Sequence, residues 1–138
     1  MNRNVELDNI AHNEGIEILE YRCPKNGSMS HMTKQGNCYI GIDSTNKSEQ
    51  EITVHKAHEL GHCMTGAFYN KYSKFDLISK HEYRANKWAI KKLIPKDELI
   101  ETVESGYTET WQLAEYFEVT EEFIIQALKF YNYYFEAI

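Results

Sequence analysis

The residues with the clearest potential for chemistry form the segment His58-Glu59-Leu60-Gly61-His62, which has the pattern H-E-x-x-H. Side chains four positions apart lie on the same face of an α-helix, so the two imidazoles can bind one metal ion. The glutamate between them lies beside that ion, where it can accept a proton from an activated water molecule. The pattern therefore predicts His58 and His62 as metal ligands and Glu59 as a catalytic acid/base. The alternative is a helix with surface histidines.

A catalytic zinc site needs a third protein ligand, which the sequence must supply from another segment. Glu82 is the preferred candidate, because it lies near the start of the next predicted helix, and a helix–loop–helix can bring it back to His62. His81 and Asp76 remain alternatives. Glu82 also has a competing structural interpretation as the N3 residue of a capping box that starts at Ser79.

Two further polar residues lie one helical turn from the predicted ligands. Asn86 follows Glu82 on the same helix face, and its side-chain oxygen can accept a hydrogen bond from a ligand histidine and orient it. His55 precedes His58 by one turn and is a candidate for orienting a ligand, for contacting substrate or for binding the metal itself. The alternative for His55 is an ordinary surface histidine.

A hydrolase of this kind also needs an oxyanion stabiliser and a surface that binds its substrate. Tyr107, Tyr83 and Tyr72 are the candidates for the first role, although the interpretation as packing aromatics is favoured for each. The strand predicted at 38–43 offers an edge to an extended peptide, or is merely a margin of the sheet.

The elements that must position these residues follow from periodicity, capping signals and turn residues. Helix, strands and then helices follow one another, which predicts an α+β fold with a small antiparallel sheet near the N-terminus. We expect one domain over residues 1–138. The predicted helices are 4–13, 48–65, 79–94, 97–104, 108–118 and 120–135, and the predicted strands are 16–21, 28–33 and 38–43.

The composition excludes several classes of protein. The 138 residues carry a net charge of −6, which disfavours general binding to nucleic acids or anionic membranes. No stretch is apolar enough to span a membrane, and no signal peptide is evident at the start. The cysteines Cys23, Cys38 and Cys63 are too few for a disulfide framework, so we predict a cytoplasmic protein with reduced thiols. Cys63 reads as a small buried hydrophobic residue, and an approach of Cys23 to Cys38 is possible but not required.

The motif and its surroundings resemble the ImmA/IrrE metallopeptidases. Residues 58–62 match the family pattern H-E-L-G-H, and residues 82–95 match E-x-x-A-[ND]-x-[FW]-A-x-x-L-[LIM]-[MI]-P. Residues 10–18 and 105–131 resemble the opening and closing regions of the family, so the resemblance covers nearly the whole chain. The spacing from the motif to Glu82 is similar to that of the thermolysin-like gluzincins. The sequence departs from the family pattern at two positions, His55 and Cys63, the second of which directly follows His62.

The resemblance implies a zincin-like fold and a zinc-dependent endopeptidase. It implies His58, His62 and Glu82 as ligands of one Zn²⁺ per chain, and Glu59 as the catalytic residue. Family members are found in bacteria, phages and mobile elements, and some act on repressors of the helix-turn-helix type. A repressor or an antitoxin-like protein is therefore the expected protein substrate, with no direct nucleic-acid or membrane partner.

Two other functions stay open at this point. The first is a metal-dependent regulator that binds a repressor without cleaving it, because the same ligands and glutamate would serve both. The second is a DNA-binding protein, since residues 108–135 resemble a helix-turn-helix. The second helix of that segment begins with Glu121 and Glu122 and has only Lys129 as a basic residue, which disfavours contact with phosphates.

Overall fold

A computed structural model of the protein describes residues 2–22, 27–68 and 74–131, and of Asp76 it describes the backbone alone. The predicted α+β fold is confirmed, with helices that outweigh a small sheet near the N-terminus. Within the described residues no helix is long and apolar enough to cross a membrane. The elements are α1 (Arg3–Asn13), β1 (Glu17–Tyr21), β2 (Met29–Met32), β3 (Cys38–Asp43), α2 (Glu49–Thr65), α3 (Phe75–Leu93), α4 (Lys96–Glu104), α5 (Thr110–Phe117) and α6 (Glu121–Phe130).

The sheet is mixed, not purely antiparallel as predicted. Its order is β1-β3-β2, with β1 parallel to β3 and β2 antiparallel to β3. The predicted hairpin between β2 and β3 is correct, and Gly36 in its turn adopts a positive φ of 89°. The strand pattern of β1 carries no information about its partner, and β1 pairs with β3 on the side opposite β2.

The helix that carries the H-E-x-x-H motif begins and ends at the predicted residues. Ser48 Oγ accepts a hydrogen bond from the Glu51 backbone N–H at 3.1 Å, and Glu51 Oε1 accepts one from the Ser48 N–H at 3.2 Å. This capping box satisfies two backbone donors at the helix start. At the other end Gly66 takes the left-handed conformation, with φ of 67°, in which glycine meets no steric penalty.

The helix that carries Glu82 begins earlier than predicted. α3 starts at Phe75, so Ser79 and Glu82 lie in its interior and the predicted capping box is wrong. The first turn closes through a hydrogen bond from the Ile78 N–H to the Lys74 carbonyl, at 3.0 Å. A Ser-x-x-Glu pattern is compatible with a helix interior as well as a helix start, which is why the sequence alone misplaced this boundary. The structure thus removes the competing structural explanation for Glu82.

The metal-site helix α2 packs closely against α3 because Gly61 faces Ala85. A Cβ atom at Gly61 would overlap the Ala85 carbonyl oxygen and lie 2.9 Å from the Ala85 Cα. Ala57, Ala85 and Ala89 are fully buried in the same contact region. Small side chains on both helices therefore permit the short distance that the site requires.

Cys38 and Cys63 form a disulfide, which corrects two predictions about the cysteines. Their Cα atoms lie 6.0 Å apart, within the usual range for disulfides, and the bond joins β3 to the last turn of α2. Cys63 is therefore not simply a buried hydrophobic residue, and at least two of the thiols are not reduced in this structure. Cys23, the other suggested neighbour of Cys38, lies outside the described residues.

The last two helices contribute to the same core as the motif helix, and α5 is shorter than predicted. α5 covers residues 110–117 and α6 covers 121–130, whereas residues 132–135 of the predicted helix lie outside the described part. Phe117 and Ile124 are fully buried together with Leu60 of α2. The side chain of Arg3 in α1 lies over the Phe117 ring at 5.1 Å, which links the start of the chain to this helical pair.

Candidate metal centre

Three predicted ligands converge where α2 meets α3. His58 Nε2 lies 2.8 Å from Glu82 Oε2, and His62 Nε2 lies 3.3 Å from Glu82 Oε1. The two Nε2 atoms are 3.2 Å apart. In the described part of the chain these residues form the one group of at least three potential ligands with mutually close donor atoms. The one-turn spacing of the histidines aligns them on one face, and the close α2–α3 contact brings Glu82 to them.

Hydrogen bonds at the other nitrogen orient both imidazoles. His58 Nδ1–H donates to Asn86 Oδ1 at 2.7 Å, as the position of Asn86 predicts. His62 Nδ1–H donates to the backbone carbonyl of Ala67, just beyond the helix end. In neutral imidazoles with these bonds, each Nε2 carries a lone pair rather than a proton.

This set of donor atoms fits a divalent metal ion. Two lone pairs and a carboxylate that face each other at about 3 Å repel unless a proton or a cation lies among them. With Zn–N and Zn–O bonds of about 2.0–2.1 Å, neighbouring ligand atoms of a tetrahedral zinc lie about 3.3 Å apart, close to the observed spacing. Two histidines and one carboxylate leave a fourth position for water or substrate, which is the arrangement of catalytic rather than structural zinc sites.

Glu59 lies in the wall of a cleft that opens onto the ligands. Its side chain is 9% exposed, on α2 between the two histidines. The cleft has a volume of about 300 Å³ and is also lined by His62, Glu82, Phe68 and residues 28–30 at the start of β2. A carboxylate in this position can exchange a proton with a molecule in the cleft.

His55 lies beside the centre but outside the group of ligands. It lines a separate cavity of about 310 Å³ together with His58, Asn86 and residues at the start of α6. Its Nδ1 atom is buried and has no hydrogen-bond partner among the described residues. Burial, and to a smaller extent the charge of Lys47, lower the pKa of His55 below its usual value. His55 therefore favours the neutral form more than an exposed histidine does, and it is not one of the converging ligands.

The other candidates do not join the group. His81 lies next to Glu82 in α3 but is not among the converging ligands, and the Asp76 side chain lies outside the described residues. Tyr107 packs against Tyr116 with the rings tilted and 5.6 Å between their centroids, and it is not among the residues that line the cleft. Tyr83 also does not line the cleft, and Tyr72 lies outside the described part.

The strand beside the cleft is β2 rather than β3. β3 pairs on both sides, with β1 and β2, so the edge that the sequence assigned to residues 38–43 is already occupied. β2 is the outer strand on this side, and Ser28, Met29 and Ser30 contribute to the cleft. The strand edge near the site therefore belongs to β2, not to the strand at 38–43 that the sequence suggested.

Sequence reasoning missed the contributions of Ala67 and Phe68. The Ala67 carbonyl orients His62, and the Phe68 ring lies 6.1 Å from the His62 ring and lines the cleft. A backbone carbonyl has no residue-type signal, so no pattern could reveal the first contact. The position directly after the helix-ending Gly66 is the signal that could have pointed to both, because the chain reverses there beside His62.

Comparison with protein families places the chain in a known family. The family described as Peptidase M78, IrrE N-terminal-like domain, matches residues 11–129. The chain belongs to this family. No curated protein matches the sequence. Membership in the IrrE-like family supports a metallopeptidase, and the matched range contains the H-E-x-x-H motif, Glu82 and Asn86. The resemblance to the ImmA/IrrE metallopeptidases is thereby confirmed.

Proposed function

We propose that this protein is a cytoplasmic zinc-dependent endopeptidase that cleaves a helix-turn-helix-type repressor or an antitoxin-like regulatory protein. The observation that carries the proposal is the convergence of His58 Nε2, His62 Nε2 and the Glu82 carboxylate beside Glu59. Membership in a metallopeptidase family supports the same reaction class. The repressor substrate, and an origin in a phage or mobile element, come from the family resemblance.

His58, His62 and Glu82 would hold one Zn²⁺ per chain. When bound, the ion supplies Lewis acidity that activates water and polarises the scissile carbonyl. Glu59 accepts the proton of the attacking water and delivers it to the nitrogen of the leaving amine, which contributes typically 10²–10⁴-fold to the rate. Asn86 and the Ala67 carbonyl keep the two imidazoles in the tautomer that leaves Nε2 available.

The outer edge of β2 is the proposed binding surface for an extended substrate segment. Residues 28–30 line the cleft together with Glu59, so a peptide paired with this edge would pass the catalytic carboxylate. Main-chain hydrogen bonds to a strand edge give affinity with little dependence on side chains. Side-chain selection would then come from cavities around the metal centre, including the one that His55 lines together with His58 and Asn86.

Metal stoichiometry tests the ligand assignment. We would measure bound zinc by native and elemental mass spectrometry in the wild type, His62→Ala and Glu82→Ala. We expect about one zinc per wild-type chain and a loss of at least tenfold in affinity in both variants. Glu101→Ala, an exposed glutamate of α4, is the matched control and should bind zinc normally. Zinc retained by Glu82→Ala would transfer the third position to His81 or Asp76.

A Glu59→Gln variant separates cleavage from binding. We expect it to retain zinc and partner binding while cleavage of a candidate repressor falls by at least 10²-fold, because the amide cannot accept the proton. The candidate substrates are repressors encoded beside the gene. Their cleavage is measured by gel electrophoresis and mass spectrometry. Cleavage at the wild-type rate would refute the assigned role of Glu59. Unchanged biological output from a variant without cleavage would favour a regulator that binds but does not cut.

A further inference from the structure

The Cys38–Cys63 disulfide joins the sheet to the metal-site helix directly beside a proposed ligand. Cys63 follows His62 in the last turn of α2, and Cys38 is the first residue of β3. The bond closes a loop across a sequence separation of 25. It therefore holds the backbone next to His62 against the middle strand of the sheet.

Local hydrogen bonds also shape this end of the helix, and these bonds act within one segment. The Thr65 hydroxyl donates to the Gly61 carbonyl at 2.7 Å, and the Ala67 N–H donates to the His62 carbonyl at 3.1 Å. Gly66 reverses the chain so that the Ala67 carbonyl reaches His62 Nδ1. When the cross-link opens, this turn keeps its local bonds but loses its covalent connection to the sheet. The orientation of His62 depends on that turn.

The bridge is reachable from one side. Cys38 is 6% exposed, whereas Cys63 is only partly buried and precedes residues 64–66, which are exposed. Thiol–disulfide exchange needs access of a thiolate to one of the two sulfurs. Cys63 Sγ is therefore the point of attack, and Cys38 is the leaving group.

We propose that Cys38 and Cys63 form a reversible thiol–disulfide site whose reduction by a dithiol weakens metal binding at His62. A thiolate of the dithiol attacks Cys63 Sγ, the bond to Cys38 breaks, and Cys38 leaves and takes up a proton. The second thiol of the reductant then displaces Cys63 as a thiol. Two electrons and two protons pass to the protein, and the dithiol becomes a disulfide. This inference rests on the proposed metal centre but not on peptide hydrolysis.

A reversible bridge also reconciles the structure with the predicted compartment. Permanent disulfides are rare in the cytosol, where those that form are usually transient and redox-sensing or catalytic. A disulfide that opens and closes beside a metal ligand belongs to the transient, redox-sensing disulfides. Oxidation would then favour the metal-loaded protein, and reduction would favour release of the metal.

Thiol counting tests the first half of the proposal. The protein, in a Cys23→Ser background that removes the third thiol, is equilibrated without metal in oxidised or reduced dithiothreitol, alkylated with iodoacetamide and weighed as an intact chain. We expect no alkylated cysteine in the oxidised sample and two in the reduced sample. Two alkylated cysteines in both samples would overturn the proposal.

Zinc competition against a chelating indicator tests the second half. Reductant is removed under nitrogen before titration, because dithiols bind zinc. We expect the zinc Kd to rise about tenfold on reduction, the lower end of the effect of lost support around a metal ligand. Cys38→Ser, which cannot form the bridge, should show the weaker Kd under both conditions. Cys23→Ser should follow the wild type.

The remaining outcomes distinguish this inference from the proposed function. Far-ultraviolet circular dichroism, recorded below the unfolding midpoint of every sample, ensures that folded proteins are compared. A zinc Kd that changes less than twofold on reduction would overturn the redox coupling and leave the zinc centre intact. An oxidised protein that binds no zinc would overturn both the coupling and the centre, whatever the thiol count.

Discussion

At the scale of the residue, the chemistry of the centre depends on which nitrogen of each histidine carries a proton. His58 and His62 both donate from Nδ1, one to the Asn86 side chain and the other to the Ala67 backbone. These bonds leave Nε2 as the acceptor on each ring, and both acceptors point to Glu82. A substitution can remove the Asn86 side chain but not the Ala67 backbone carbonyl. Asn86 is therefore the position at which the orientation of a ligand histidine can be tested.

We expect Asn86→Ala to weaken zinc binding about 10–100-fold, because His58 loses the hydrogen bond that sets its tautomer and orientation. Asn86→Asp should bind at least as well as the wild type, since a carboxylate accepts the same bond. Chelator competition on metal-free protein measures both Kd values. Equal affinities for the alanine and the wild-type protein would show that Asn86 does not support the ligand.

His55 should make stability depend on pH. Burial, followed by the charge of Lys47, lowers the pKa of His55, while Glu51 and Glu59 partly oppose the shift and His58 adds to it. A histidine with a lowered pKa binds fewer protons when folded, so its contribution is complete above about pH 6.5 and declines as the pH falls below that value. We expect metal-free His55→Gln to lose less stability than the wild type on acidification, as measured by urea unfolding. Unfolding free energies that fall equally with pH in the two proteins would contradict this prediction.

At the scale of the element, the centre depends on how closely two helices approach. α2 supplies His58 and His62, and α3 supplies Glu82, so the distance between the helices sets the distance between the ligands. That approach is possible because Gly61 has no Cβ where it meets Ala85. Glycine in a helix interior costs about 1 kcal/mol relative to alanine, so the sequence gives up local stability at this position for packing.

Gly61→Ala should therefore be destabilising despite the better helix propensity of alanine. The added methyl group would overlap the Ala85 backbone and separate α2 from α3. We expect a net loss of about 1–3 kcal/mol in unfolding free energy and a weaker zinc Kd. Met64→Ala, at an exposed position of the same helix, controls for propensity and should change neither quantity appreciably. A more stable Gly61→Ala protein would show that the helices can move apart without cost.

At the scale of the whole molecule, one core connects the first helix with the last. Leu7 of α1, Leu60 of α2 and Ile124 of α6 belong to the same buried cluster. The Tyr131 hydroxyl, after α6, donates to the Ile94 carbonyl after α3 at 2.7 Å. The helix-turn-helix-like pair thus has a packing role, and its acidic start at Glu121 and Glu122 gives no attraction for phosphates.

We expect the metal-free protein to unfold in one cooperative transition, because buried residues from the first described helix to the last belong to one core cluster. Ile124→Ala, a buried change in α6, should lower the midpoint of the whole transition and cost about 2–5 kcal/mol. Differential scanning calorimetry tests this, because the calorimetric and van't Hoff enthalpies are equal when unfolding is a single two-state transition. Ile125→Ala, at the exposed neighbour, is the control. Two separate transitions would contradict the prediction of one domain over residues 1–138.

Features that depend on neighbours a few positions apart could be predicted from the sequence. The Ser48 capping box, the helix end at Gly66 and the β2–β3 hairpin all follow from short-range patterns. The alignment of His58 and His62 on one face follows from helix geometry alone. These features persist because their hydrogen bonds and dihedral preferences lie within a single segment.

Which segments contact each other depends on how the whole chain packs. The parallel pairing of β1 with β3 and the Cys38–Cys63 bond are non-local. So is the burial of Lys56, which is 2% exposed with its Nζ 2.8 Å from Asp8 Oδ1. Glu82 is beside the histidines because two helices pack at Gly61, and no spacing along the chain encodes that distance. Contacts of this kind depend on packing across the whole core, so only the folded molecule can show them.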